Sequence, residues 1–124
     1  MKKDNTCDRQ PLHNSQECRI KMLPVKDALD ILSGKWKLRI ILALSFNKKR
    51  FNQLVRDIPG ITAKVLSKEL KDLEINELVS RTVYDTQPVS VEYKLTPYGQ
   101  TLKPLIGELY KWGEKHRKRI TGRV

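Results

Sequence analysis

The stretch from Pro59 to Asn76 restricts the fold of this chain more than any other part of the sequence. Pro59-Gly60 favours a turn, and Thr62 is a suitable N-cap for a helix that starts at Ala63. The apolar positions of this helix share one face, at about 100° per residue: Leu66, Leu70 and Leu73. The opposite face carries Lys64, Lys68 and Lys71. The pattern predicts a helix that packs its leucines on a core and presents cations to solvent.

The elements around this helix predict a winged helix-turn-helix. A short helix spans Phe51 to Ile58, directly before the turn. After the longer helix, Leu78–Tyr84 and Val91–Leu95 alternate apolar and polar residues, which is typical of strands, and residues 85–90 form the loop between them. In the winged variant of the helix-turn-helix, the second helix enters the major groove of DNA. The expected fold class is mainly α with a small antiparallel β-hairpin.

The remaining segments extend this unit at both ends. Residues 1–17 are polar and unpatterned, which predicts a flexible arm, and residues 118–124 form a basic tail. Residues 18–117 are expected to form one domain, because a chain of 124 residues has room for only one. Three further elements are predicted: a first helix opened by Pro24 and stopped by Gly34, a second helix over Lys35–Ser45, and a loop or short strand over Asn47–Arg50.

The charge of the chain points to an anionic partner. Twenty-five Lys and Arg residues against 14 Asp and Glu residues give a formal net charge of +11. Nucleic acid is the first candidate for this partner and an acidic membrane surface is the second. The longest apolar stretch, Leu38–Leu44, is too short to cross a bilayer. A secretory signal has an apolar region after its positively charged start, and here polar residues follow the N-terminal lysines instead. We therefore expect a cytoplasmic protein without a membrane partner.

The chain lacks the residue patterns of an enzyme or a metalloprotein. Its two cysteines and two histidines show no metal-ligand spacing. The sequence contains no credible Ser/His/Asp or Cys/His set and no glycine-rich phosphate loop. It therefore predicts neither catalysis nor a cofactor.

The predicted recognition helix supplies most of the candidate DNA contacts. Its three lysines are suited to phosphates, and Thr62 lies at the helix N-terminus, which attracts anions. Ala63 and Ser67 are short and lie near the start of the helix, where they can approach base edges. The candidate contacts on this helix are Thr62, Ala63, Lys64, Ser67, Lys68 and Lys71.

The last helix predicts a second copy of the chain as a partner. Thr96-Pro97 opens this helix, and Pro104 is expected to kink it near its start. Its apolar residues recur in steps of three and four: Leu102, Leu105, Leu109 and Trp112. Such a narrow seam is typical of helices that pair, and Trp is enriched in interfaces. Packing of Trp112 within its own chain is the alternative.

Five motifs of this chain are shared with a known family: Leu29–Trp36, Arg50–Leu54, Ile58–Thr62, Lys64–Glu74 and Val91–Gly99. Together they resemble the HxlR-type winged-helix regulators of bacteria. The resemblance covers about residues 23–116. It implies a homodimeric repressor or activator that pairs through its first and last helices, with residues 62–74 as the recognition helix and residues 85–90 as the wing. It also favours a phosphate contact for Arg50 over a capping role, and it leaves a small-molecule effector open.

Two positions depart from the family pattern. Members commonly carry a cysteine before the Pro-Val that opens the first helix, where this chain has Leu23, so thiol sensing at that position is not expected. The family's wing often carries an arginine just before Val-Glu-Tyr, where this chain has Ser90. Ser90 is therefore the candidate contact of the wing, without a strong cation for the minor groove.

Two other functions stay open from the sequence alone. Winged helices also bind RNA, so a basic RNA-binding or ribosome-associated protein is the first alternative. The lysine face lacks the exposed aromatic residues that would stack on RNA bases. A protein-interaction module that uses the fold without nucleic acid is the second alternative.

Overall fold

The computed structural model describes residues 12–122, with side chains from residue 16 onward, and the chain divides into two compact units. The first unit ends at Ser33 and contains helix α1 (Leu12–Leu32). The second unit begins at Gly34 and contains the other described elements. In the described part of the chain, no helix is both long enough and apolar enough to span a membrane.

Helix α1 is longer than the sequence predicted, and two expectations about its start are corrected. It begins at Leu12 rather than at Pro24, so residues 12–17 are helical and do not belong to a flexible arm; residues 1–11 lie outside the described part. Pro24 lies inside the helix instead of opening it. Residues 12–23 contain neither glycine nor proline. Because each added residue of a helix contributes a hydrogen bond, the loss of one bond at Pro24 does not end α1.

Within the described residues, the second unit combines five helices with a three-stranded sheet. In chain order the elements are α2 (Lys37–Phe46), β1 (Lys49–Arg50), α3 (Phe51–Asp57), α4 (Ala63–Ile75), β2 (Val79–Tyr84), β3 (Ser90–Leu95), α5 (Pro97–Gln100) and α6 (Lys103–Thr121). The sheet is antiparallel with the order β1-β3-β2, and Arg50 of β1 pairs in register with Glu92 of β3. The predicted fold class is confirmed, and β1 is the short strand that was one of two alternatives for this segment.

The core lies where α2, α4 and the sheet meet. Ile40 and Ile41 of α2 are fully buried. The leucines predicted for the inner face of α4 are 0%, 1% and 0% exposed: Leu66, Leu70 and Leu73. Val79 and Leu95, which are paired across β2 and β3, are buried on the sheet side. Burial of the leucine face fixes which side of α4 points to solvent.

The C-terminal helix is divided, which corrects the prediction of one kinked helix. Thr96 caps α5 as expected, but α5 is a single turn, and two residues separate it from α6. Pro104 lies in the first turn of α6, where its missing N–H costs no helical hydrogen bond, so it starts this helix instead of kinking it. Residues 118–121 of the predicted tail continue α6, and residues 123–124 lie outside the described part.

Candidate nucleic-acid interface

The turn between α3 and α4 sets the position of the predicted recognition helix. Gly60 adopts a φ of 84°, a left-handed conformation that glycine tolerates without a steric penalty. Ile61 is then buried in the core. Thr62 caps α4, because its side-chain oxygen accepts a hydrogen bond from the Val65 N–H at 3.2 Å. Helices α3 and α4 with this turn form a helix-turn-helix, as the sequence predicts.

The outer side of α4 brings together the candidate DNA contacts predicted on this helix. All of them are exposed, and we call them the α4 surface: Thr62, Ala63, Lys64, Ser67, Lys68 and Lys71. Among the described residues, no acidic group lies within 4.0 Å of the ammonium group of any of its three lysines. These ammonium groups are therefore available to anions such as phosphates.

Two acidic residues of α4 are bound by a lysine of α2. The Lys37 Nζ donates a hydrogen bond to Glu69 Oε1 at 2.6 Å and lies 3.5 Å from Asp72 Oδ2. The hydrogen bond to Glu69 is the main reason why the pKa of Lys37 is raised, although burial acts in the opposite direction. Sequence analysis missed Lys37, because Glu69 is 32 residues away in the chain and no local pattern connects them.

The two other predicted contacts, Arg50 at the end of β1 and Ser90 at the start of β3, lie around one cavity. Both line a cavity of about 420 Å³ at the base of the loop between β2 and β3. In its wall, the Tyr84 hydroxyl donates to Glu92 Oε1 at 2.8 Å, and Lys48 Nζ lies 3.5 Å from the same oxygen. The hydrogen bond to Glu92 raises the pKa of Tyr84. Glu92 is paired with these groups, and no described acidic group lies within 4.0 Å of the Arg50 guanidinium.

Arg50 also lines a second cavity, which the sequence did not predict. Its other walls are Asn52, Gln53 and Arg56 of α3, and its volume is about 360 Å³. Gln53 Oε1 accepts a hydrogen bond from the Arg50 N–H at 2.9 Å, which fixes the start of α3. Because no acidic side chain lines this cavity, Asn52 and Arg56 are additional candidate contacts. Their spacing of four residues on one helix face is the signal that could have found them.

The predicted seam of the last helix is exposed over most of its length. Leu105, Leu109 and Trp112 are 41%, 46% and 67% exposed, whereas Leu102 is half-buried just before α6. The Trp112 ring stacks on His116, with ring centroids 5.0 Å apart. The described contact of Trp112 is thus with its own helix, and three of the four apolar seam residues stay accessible to a partner.

Two further features of the described residues concern metal ions and small molecules. They contain no group of three or more His, Cys, Asp or Glu side chains that could hold a metal ion. A cavity of about 400 Å³ near the ends of α2 and α3 is lined mainly by apolar groups, including Leu42, Phe46 and Ile58. Its volume lies in the range of small-molecule sites.

A family profile and curated bacterial proteins match most of this chain, and all of them are helix-turn-helix proteins. The profile of the HxlR-like helix-turn-helix family matches residues 31–121. The HTH-type transcriptional regulator YdeP of Bacillus subtilis, itself uncharacterized, is 43% identical over 97 residues, which cover 78% of this chain and 76% of YdeP. The uncharacterized regulator YybR of the same organism is 42% identical over 94 residues, which cover 76% of this chain and 75% of YybR.

Solved structures of transcription regulators share this fold. The redox regulator HypR in its reduced form matches with a TM-score of 0.75 at 39% identity, covering 80% of this chain and 98% of HypR. A transcriptional regulator of the MarR family from Porphyromonas gingivalis matches with a TM-score of 0.71 at 41% identity, covering 73% of this chain and 89% of that protein.

Proposed function

This chain belongs to the HxlR-like helix-turn-helix family and is a DNA-binding transcription regulator, and we propose that it binds its operator as a homodimer with α4 in the major groove. Regulators of this family are not enzymes. The residues described above therefore act by binding, and the proposal concerns which of them contact DNA and which contact a second copy.

The α4 surface is the observation that carries this proposal. The major groove of B-DNA is about 12 Å wide and admits one α-helix. Because the buried leucines fix the rotation of α4, its three lysines project together toward the groove and the phosphates beside it. No acidic group of the described residues pairs with them. Ser67 and Ala63 are assigned to base edges, since both are short and lie near the start of the helix. Thr62 and the first N–H groups of α4 are assigned to a phosphate.

Arg50 and Ser90 are assigned to DNA on either side of the major-groove contact. The Arg50 guanidinium has no acidic partner among the described residues. Arg50 lines both the cavity at the base of the β2–β3 loop and the cavity beside α3. It is suited to a phosphate that α3 approaches, and Asn52 and Arg56 extend the same contact. The wing is assigned to a position alongside the DNA. Its candidate contact Ser90 is uncharged and donates only one hydrogen bond, so we expect the wing to contribute less to affinity than α4 does.

A second copy of the chain is the proposed partner of the exposed seam on α6. Leu105, Leu109 and Trp112 form a continuous apolar strip, and pairing of two such strips removes that strip from water. One winged helix covers only one half-site. Two copies reach half-sites about one helical turn apart, roughly 34–36 Å.

Helix α1 offers another apolar surface for the same dimer. Met22, Val25 and Leu29 follow helical spacing, and Leu23 lies beside them; all four are exposed and line a hollow of about 490 Å³. Regulators that this chain resembles pair through their first and last helices. Exposed apolar strips on α1 and α6 are what such pairing requires.

The test is to recover fragments from a genomic DNA pool with the purified protein and to footprint the best one. We expect two protected half-sites about one helical turn apart. Structured RNA in competition serves as the control for nucleic-acid class. Tighter binding of RNA than of DNA would favour the RNA-binding alternative, and binding of neither would favour a protein-interaction module. Either result would contradict the proposal.

A further inference from the structure

The recognition helix α4 carries as many acidic as basic side chains. Its cations are Lys64, Lys68 and Lys71, and its acids are Glu69, Asp72 and Glu74. Acidic side chains close to the lysines weaken the attraction of the helix for DNA, because that attraction depends on a local excess of cations near the phosphates. The acids of the same helix therefore weaken the attraction of the α4 surface for DNA unless another element pairs with them and holds them away from its lysines.

Lys37 of α2 pairs with two of these three acids and balances the charge of one of them. Its ammonium group lies 2.6 Å from Glu69 Oε1 and 3.5 Å from Asp72 Oδ2. The side chains of Lys37 and Glu69 are only 12% and 13% exposed, so salt screens their interaction weakly. Lys37 is charged at neutral pH, and the hydrogen bond to Glu69 raises its pKa further above the usual 10.5.

We propose that Lys37 is a positioning residue for DNA binding, which holds the carboxylates of Glu69 and Asp72 away from the lysines of the α4 surface. This inference rests on the proposed place of α4 in the major groove. Without Lys37, Asp72 can pair with Lys68, which precedes it by four residues and so neighbours it on the helix surface. Such a pair removes one cation from the α4 surface, and Glu69 adds an uncompensated negative charge near the phosphates.

A purely structural role of Lys37 has a different consequence. If Lys37 only held α2 against α4, every change to the pair would lower stability and DNA affinity together. In the proposed role, DNA affinity follows the charge of the Lys37 cluster, which we define as Lys37, Glu69 and Asp72. One cation and two acids give this cluster a formal charge of −1.

Three variants change the charge of the Lys37 cluster in both directions. Lys37→Met makes it −2, Lys37→Met/Glu69→Gln returns it to −1, and Glu69→Gln makes it 0. The matched control is Lys111→Met, which removes a lysine from an exposed pair with Glu108 on α6. For each full-length protein, the Kd for the footprinted operator is measured over a range of salt, and the unfolding midpoint is measured in urea.

Operator affinity should follow the cluster charge. Lys37→Met should weaken operator binding about five- to tenfold at 0.1 M salt, the effect of one unit charge across roughly 10 Å of partly solvated protein. The Lys37→Met/Glu69→Gln variant should return to within about twofold of the wild type, and Lys111→Met should change affinity less than about twofold. Glu69→Gln should bind DNA more tightly, because the variant removes one negative charge near the phosphates. It should unfold at a lower urea concentration, because the amide still accepts a hydrogen bond from Lys37 but no longer forms an ion pair with it.

Two results would overturn the inference. One is a double variant as weak as Lys37→Met, and the other is a Glu69→Gln variant that loses affinity in step with its stability. Glu69→Gln keeps the contacts of Lys37 with Asp72 and with the amide oxygen, so the test stands even where Lys37→Met fails to fold. Failure of the wild type to bind any DNA would contradict the proposed function instead.

Discussion

Gly99 lies so close to Leu78 that no side chain fits between them: a Cβ built on Gly99 would be 2.1 Å from the Leu78 carbonyl oxygen. The same oxygen accepts a hydrogen bond from the Thr96 N–H at 3.1 Å. The Thr96 hydroxyl donates to the Glu77 carbonyl oxygen at 2.6 Å. The start of α5 is therefore packed directly on the segment that joins α4 to β2, and this contact fixes where the C-terminal helices leave the sheet.

Substitution of Gly99 is expected to destabilise the fold. Gly99→Ala should lower the free energy of unfolding by about 1–3 kcal/mol, because the backbone around Leu78 must move to admit a methyl group. Gly107→Ala is the matched control, since a Cβ at this position in α6 meets nothing within 4 Å. It should raise the free energy of unfolding by about 0.5–1 kcal/mol. Urea unfolding measures both, and equal effects would contradict the close approach.

Removal of two lysines from the α4 surface is expected to weaken operator binding and its dependence on salt. In the Lys64→Ala/Lys68→Ala variant, the slope of log K against log salt should flatten by about one unit for each lost phosphate contact. Lys111→Ala on α6 is the control for a loss of charge elsewhere. Titrations at four or more salt concentrations give the slope. Wild-type affinity and slope in the double variant would show that α4 is not the recognition helix.

A charge in the α6 seam is expected to separate the dimer. Leu109→Glu places a carboxylate where two apolar strips would meet, and burial of an unpaired charge costs several kcal/mol. The dimer dissociation constant should rise strongly, and operator affinity should fall, while the fold survives. Light scattering and circular dichroism measure mass and fold. Lys111→Glu, off the seam, should remain dimeric. A wild type that is monomeric at micromolar concentration would rule out the proposed dimer.

The ion pair of Lys37 is expected to make the free energy of unfolding fall as the pH rises in the alkaline range. The pKa of Lys37 is raised in the folded protein above its usual 10.5, mainly by the hydrogen bond to Glu69. The folded state therefore holds this proton more tightly than the unfolded state. The resulting stabilisation is fully present below pH 10.5 and is lost as the pH rises through the folded pKa.

Urea unfolding at a series of pH values between neutral and strongly alkaline measures this loss. Wild-type stability should fall more steeply above pH 10.5 than that of Lys37→Met, which lacks the group. Tyr84→Phe serves as the control, because the pKa of Tyr84 is also raised, by its hydrogen bond to Glu92. Parallel curves for the wild type and Lys37→Met would contradict a contribution from Lys37.

Predictions from the sequence succeeded where a feature depends on neighbouring residues. The spacing of the α4 leucines and the Thr62 cap predicted a helix from Ala63, and the structure starts α4 there. Predictions were wrong where a proline was interpreted without its surroundings. Pro24 does not start a helix, and Pro104 does not kink one. The assignment of particular residues to DNA and to the dimer stays a prediction.

The sequence by itself determined the helix-turn-helix, because the turn, the cap and the amphipathic period of α4 act within a few residues of one another. Only the tertiary structure decided that Lys37 reaches Glu69, 32 residues away, that Gly99 meets Leu78, and that β1 pairs with β3. The physical reason is that such contacts form between segments far apart in the chain. Their positions follow from which apolar faces are buried together, and no pattern within one segment specifies that.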